Sequence, residues 1–236
     1  LNGPFVLDDL YLPFFKPNFP TALAAWIHGL RPALMFSYWL NFHSGGQEPH
    51  SYHELNVLLH FLDSIVVFFI LRKFLQWAKV DEKLLNLLAV FAAGVFLLHP
   101  LQTESVAYVA GRSEVLSILF FNLALLVFLY RRSESISILE TIGVLILYAA
   151  AASSKEHTVV LPAMLLLTDY FWNPGFKMRG IVRNWKLYAP IAVGAVVLVR
   201  PVIGLLRGSP TAGFAVKGLP WYTFFATECR VIWDYI

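Results

Sequence analysis

The sequence predicts an all-α, polytopic membrane protein, and three observations carry that prediction. Of its 236 residues, 58% are hydrophobic and only 14% charged, where soluble domains carry about a quarter charged residues. Apolar runs recur at close to the ~20 residues that a helix needs to cross the hydrocarbon core. The basic residues gather in alternate connections between those runs, as the positive-inside rule requires of cytoplasmic loops.

Mean hydropathy is +0.64. The net charge of +3 is small, and its basic residues do not cluster on a soluble face, which excludes nucleic acid as a partner. The single cysteine, Cys229, rules out an internal disulfide framework and a cysteine-based zinc site. It is expected to be a small core residue. The chain opens at Leu1 and stops at Ile236 within an apolar stretch, so a fragment of a longer protein is expected.

In chain order, residues 1–54 read as an extracytoplasmic segment and 55–236 as a transmembrane helical domain. Within the first, "TALAAWIHGLRPALMFSYWLNF" is aromatic and broken at Arg31-Pro32. One or two helices lying on the outer membrane surface fit it better than a span, since Trp and Tyr favour that interface. "HSGGQEP" is a turn that lacks phosphate-loop spacing. Spans are predicted at about 55–76, 84–99, 113–131, 137–153, 157–172 and 186–206, with another from 221. Arg72, Lys73, Lys79 and Lys83, then Arg131 and Arg132, then Lys177, Arg179, Arg183 and Lys186 mark three cytoplasmic connections. No internal repeat or low-complexity linker appears.

That orientation sends the unusual polar residues to one side. "FVLDDLYLP" carries Asp8 and Asp9, "HPLQTESVAYVAGR" carries His99, Glu104 and Arg112, and "SSKEH" carries Lys155, Glu156 and His157. Arg200 and Arg207 lie at the outer end of the sixth span. Pro100 ends a span at His99, and Gly111 permits close backbone approach or is simply a loop glycine. Inside the first span, His53, Asn56, His60 and Asp63 share one helical face. An ionised Asp there costs ~2.5–3.5 kcal/mol, so it faces protein or water. The stripe is either a hydrogen-bonded seam between helices or the wall of a functional cavity.

These segments, with "YHELNVLLH", "SKEHTVVLPAMLLLTDYFW" and "LVRPVIGLL" in the same order, resemble the membrane portion of the transmembrane and tetratricopeptide-repeat O-mannosyltransferases. Those belong to the GT-C class, which uses polyprenyl-phosphate sugars. The paired Asp8-Asp9 and the His99-to-Arg112 pattern are the most specific elements. The resemblance implies a GT-C-like multispanning fold with its site on the extracytoplasmic side. It also implies a lipid-phosphate sugar donor, commonly mannose, and a protein Ser/Thr hydroxyl as acceptor. A tetratricopeptide-repeat domain would lie beyond Ile236.

The residue inventory suits that chemistry. Transfer needs a base for the acceptor hydroxyl, worth typically 10²–10⁴-fold, and cations for the departing phosphate. Asp8 or Asp9 would be the base, with Asp9 preferred. Arg112 leads as phosphate clamp because its planar fork matches phosphate oxygens, with Lys155 and Arg200 in support. Glu104 would orient Arg112 or bind sugar hydroxyls. His99 would hydrogen-bond the phosphate or Glu104, and Glu156 joins the donor-binding group. Inversion at the anomeric carbon is expected from the resemblance. Asp8, Asp9 and Glu104 are hard oxygen ligands, but the expectation is no metal and no cofactor. The competing reading is a non-catalytic membrane subunit or scaffold of a larger complex. A haem protein on His60 and His99 needs facing axial ligands, and a transporter needs paired broken helices; neither pattern is evident.

Overall fold

The chain is described here by a computed structural model, which covers residues 3–29, 31–131, 133–172, 178–208 and 220–234. Arg132, Lys177 and residues 209–219 lie outside that set, so part of the loop-charge expectation does too. The chain divides into two compact units, Leu1–Leu187 and Tyr188–Ile236.

The first unit opens with two 3-10 turns, Leu7–Tyr11 and Pro13–Phe15, followed by α1 (Leu23–Ile27) and α2 (Pro32–Gly45). Pro32 takes the first turn of α2, where a missing N–H costs nothing. The break at Arg31-Pro32 therefore yields two helices. They do not lie apart from the bundle. Trp26, Tyr38 and Tyr52 are buried with Leu12, Phe14, Leu34, Val109 and Leu116 in one aromatic core. Protein interior, not the membrane interface, takes these rings, because the N-terminal segment folds over one end of the helices as a cap.

Two long helices carry the bundle. The α3 helix runs Pro49–Trp77 and α6 runs Arg112–Leu129; both are long and apolar enough to cross a membrane. At 1.5 Å per residue α3 is about 43 Å long. It packs on α4 (Glu82–Leu98) and on α6, which packs in turn on α7 (Ile138–Ala152). Asp81 caps α4 by accepting from Lys83 N–H at 2.8 Å. Ser137 and Glu140 form a reciprocal capping box on α7. Leu87, Val90 and Phe91 of α4 are 63%, 58% and 69% exposed. Such continuous apolar surface belongs against lipid. An integral-membrane placement follows.

The remaining elements of this unit are α5 (Gln102–Ala107), a 3-10 turn Glu156–Val160, α8 (Leu161–Trp172) and α9 (Arg179–Arg183), with α10 (Trp185–Gly208) starting at its edge. The span predicted from 157 becomes α-helical only at Leu161, because Lys155 is extended and the next five residues wind as 3-10. Pro162 then sits in the first turn of α8. At the α6 C-terminal end, Arg131 pairs with buried Asp169 at 3.1 Å. Asn184 donates to the same carboxylate at 2.7 Å and accepts from Ile136 N–H at 2.8 Å.

The second unit contains the rest of α10 and α11 (Trp221–Asp234). Cys229 is exposed on α11, so its expected core role does not hold within this unit; the helix turns it outward.

The feature that joins the cap to the bundle is Arg112, fully buried at the start of α6. Its Nε donates to Asn56 Oδ1 at 2.8 Å. One Nη donates to Asn41 Oδ1 at 2.7 Å and to the Tyr52 carbonyl at 3.0 Å; the other reaches the Ser37 carbonyl at 3.4 Å. Its guanidinium lies 4.6 Å from the Tyr38 ring centre and 5.3 Å from that of Tyr52. Among the described residues no carboxylate pairs with it. Removing it strands buried acceptors of α2 and α3. Arg112→Ala is expected to destabilise the detergent-solubilised protein by about 3–5 kcal/mol. Arg112→Lys, which cannot serve both asparagines with one ammonium, should lose about 1.5–3 kcal/mol. Thermal or denaturant melts of the two variants check both values.

Candidate active site

The cap and the bundle line an open cavity of about 610 Å³ whose walls come from six places in the chain. The Leu7–Tyr11 turn supplies Asp8, the next turn Lys16, and the start of α2 Arg31. From α5 come Glu104 and Ser105, from α6 Glu114, and from the turn after α7 Lys155. Three carboxylates and three cations thus face one space.

The segment between α5 and α6 sets this geometry. Tyr38 donates its hydroxyl to the Val109 carbonyl at 2.9 Å, and burial pushes that phenol's pKa upward, keeping it a donor. Asn56, held by Arg112, donates to the Tyr108 carbonyl at 3.1 Å. Gly111 has no room for a side chain: a Cβ would sit 2.7 Å from the Ser105 carbonyl oxygen and 2.9 Å from that of Tyr108. Close backbone approach, one of the two roles open to this glycine, is the one it fills.

On that platform the two aspartates separate. Asp9 is fully buried. Its Oδ1 accepts from Ala110 N–H at 2.7 Å and its Oδ2 from Val6 N–H at 3.1 Å. Asp8 is exposed into the cavity, and its N–H donates to Tyr108 Oη at 2.6 Å. Asp9, preferred as base in the sequence, spends its lone pairs on the backbone, and the carboxylate exposed at the cavity is Asp8.

Arg112, expected as the phosphate clamp, is fully buried with its donors engaged by α2 and α3 and does not line the cavity. The cations that do face the space are Lys16, Arg31 and Lys155. Arg31 makes two bonds to Glu156, at 2.9 and 2.8 Å. Lys155 pairs with Glu114, and His157 Nδ1 lies 3.7 Å from the other Glu114 oxygen. Glu156 therefore anchors Arg31 and does not line the cavity. Arg200 is exposed on α10 in the second unit and is described only there; the side chain of Arg207 lies outside the described residues. Sequence reasoning missed Lys16, Arg31 and Tyr108 as wall residues. No spacing rule links them to Asp8.

The polar stripe of α3 is a seam for the most part. His53 Nε2 meets the Gly3 carbonyl at 3.2 Å and His60 Nε2 the Leu97 carbonyl at 3.2 Å. Asp63 accepts from Asn122 of α6 at 2.8 Å. His53 and His60 also line a second, apolar groove of about 1020 Å³ with His99. His99 accepts from Leu101 N–H at 3.2 Å, a helix-end role away from the first cavity. An inner chamber of about 300 Å³, lined by His60, Asp63, Gln102, Ser105 and Glu114, shares walls with both. Asn56 lines none of the three cavities. Among the described residues, no three His, Cys, Asp or Glu side chains gather to hold a metal.

The Arg31 hydrogen bonds hold the Glu156 carboxyl below its ordinary value of 4.5. A depressed folded-state pKa adds stability that is present above the unfolded value and lost as pH falls through the folded one. The difference in melting temperature between the wild type and Glu156→Gln should therefore be constant near neutrality and shrink below about pH 4.5. Exposure limits its size at pH 7 to under about 1 kcal/mol.

With this geometry in place, comparison with known proteins adds ancestry. The chain is 33% identical over 215 residues to protein O-mannosyl-transferase TMTC1 of Mus musculus, covering 80% of this chain and 20% of that protein. It is 28% identical over 150 residues to protein O-mannosyl-transferase TMTC3 of Homo sapiens, covering 63% and 15%. Against protein O-mannosyl-transferase TMTC4 of Homo sapiens it is 36% identical over 102 residues, covering 41% and 14%. The chain spans about a fifth or less of the length of these curated relatives. No family model and no solved structure matches it. The chain is a distant homologue of these protein O-mannosyl-transferases.

Proposed function

We propose that the chain is the catalytic membrane portion of a GT-C-type glycosyltransferase. In this reading it is multi-pass, with the α4, α7, α8, α10 and α11 helices crossing or entering the bilayer as α3 and α6 do. The cavity opens on the extracytoplasmic side, and the basic connections lie in the cytoplasm. The donor is a sugar, mannose by ancestry, on a polyprenyl phosphate; the acceptor is a Ser or Thr hydroxyl of an extracytoplasmic protein. Distant homology supports the reaction class.

The observation that carries the reading is the cavity wall: an accessible carboxylate, Asp8, across from Lys16, Arg31 and Lys155. The acceptor oxygen attacks the anomeric carbon and forms the new glycosidic bond while Asp8 takes its proton. The sugar–phosphate C–O bond breaks, its electron pair leaves on the phosphate oxygen, and the three cations receive that charge. One displacement of this kind inverts the anomeric centre. Glu104 faces the sugar hydroxyls. The polyprenyl tail runs along the apolar groove on the other face of α5.

The experiment is sugar transfer from polyprenyl-phospho-mannose by the full-length protein. Asp8→Asn should lower kcat by about 10²–10⁴-fold in protein that still inserts and melts normally. Asp9→Asn should instead weaken the fold. Lys155→Ala should raise the donor's KM. Wild-type rates from Asp8→Asn would remove Asp8 as base, and absence of donor binding by the wild type would replace the transferase with a scaffold.

A further inference from the structure

The turn that presents Asp8 begins on a leucine in the left-handed region: Leu7 has φ +48°. A non-glycine residue is uncommon there and persists only where its surroundings hold it. Packing does not hold Leu7, which is 78% exposed. The turn is held from outside, by two hydrogen bonds to a segment 100 residues further on. One is the Asp9 carboxylate with Ala110 N–H, at 2.7 Å. The other is Asp8 N–H with Tyr108 Oη, at 2.6 Å.

The two bonds fix different things. The Asp9 bond ties down the buried side of the turn. The Tyr108 bond is made to Asp8 itself, at the cavity wall that both residues line. A phenol oxygen that accepts still has its own hydrogen to donate. Partial burial raises this phenol's pKa, the bond from Asp8 N–H opposes that rise, and the nearby Asp8 and Asp9 charges add to it. Tyr108 therefore grips the turn through the Asp8 backbone, at 2.6 Å. Its own place is secure, because its carbonyl accepts from Asn56 at 3.1 Å and that asparagine is held by buried Arg112.

We propose that Tyr108 is a positioning residue for Asp8: its hydroxyl holds the backbone of the turn, and through it keeps that carboxylate directed toward the acceptor hydroxyl. The inference rests on the transferase reading of the cavity. It assigns the strained entry at Leu7 a purpose, since a turn not held at Tyr108 would relax and swing Asp8 out of line. Misplacing a reacting group by about 1 Å can cost on the order of 10²-fold in rate.

The test uses the full-length protein in lipid nanodiscs and the variant Tyr108→Phe, which keeps the ring and removes only the oxygen. Two quantities are read: amide hydrogen exchange in the peptide containing the Leu7–Tyr11 turn, and kcat and KM with polyprenyl-phospho-mannose. The expected result is faster exchange confined to that turn, kcat lower by about 10- to 100-fold, and donor KM within about twofold. Unchanged exchange overturns the proposal, as does faster exchange with wild-type kcat. Faster exchange spread through α2 and α5 also overturns it, because Tyr108 is then a general support of the cap. A wild type that transfers no sugar ends the transferase reading and the catalytic role of Tyr108 with it. The exchange result still decides separately whether Tyr108 holds the turn.

Discussion

The structure depends on one buried cation. Arg112 stands at the N-terminal end of α6, where the helix dipole disfavours positive charge and burial removes its hydration. No carboxylate among the described residues offsets it. Instead two asparagine oxygens, two main-chain carbonyls and two tyrosine faces surround the guanidinium. Each of these comes from α2 or α3, so satisfying the charge brings α2, α3 and α6 to one point. The same asparagine that binds its Nε passes the constraint on to the Tyr108 carbonyl. From there the platform reaches both aspartates. A polar residue at the centre of the cap thereby fixes groups that never touch it.

Above that point the cavity is electrostatically balanced. Glu114 holds Lys155 and Glu156 holds Arg31, so each of these cations has a carboxylate beside it. Part-exposed ion pairs of this kind are weak. The α5 helix divides two environments within six residues. Glu104 and Ser105 face the charged cavity, and Thr103, Val106 and Ala107 face the apolar groove. A ligand with a charged head and a greasy tail matches such a partition.

The exposed apolar faces of α3 and α4 complete the physical picture. Phe61 and Phe69 of α3 and Val90 and Phe91 of α4 are exposed, while the polar stripe of α3 turns inward to meet neighbours. Buried His53, Asn56, His60 and Asp63 each find a partner on another element. In lipid, where apolar contact gives no net drive, such hydrogen bonds and close packing join the helices.

The sequence by itself determined the helices, their rough bounds and the segments that carry the polar residues. Those properties follow from local periodicity and from runs matched to bilayer thickness, which a linear chain displays. It also exposed the Asp8-Asp9 pair and the Glu104-to-Arg112 stretch as unusual, because charge beside apolar runs is costly wherever it lies. Only the tertiary structure decided which member of each group is reachable. Asp8 and Asp9 are equivalent as letters, yet one faces the cavity and one binds backbone. Arg112 and Arg31 are both arginines near an end of the bundle, yet one is sealed in the core and the other opens to the cavity. Burial and hydrogen-bond partners are set by residues 50 to 100 positions away, and no local pattern encodes contacts across that distance.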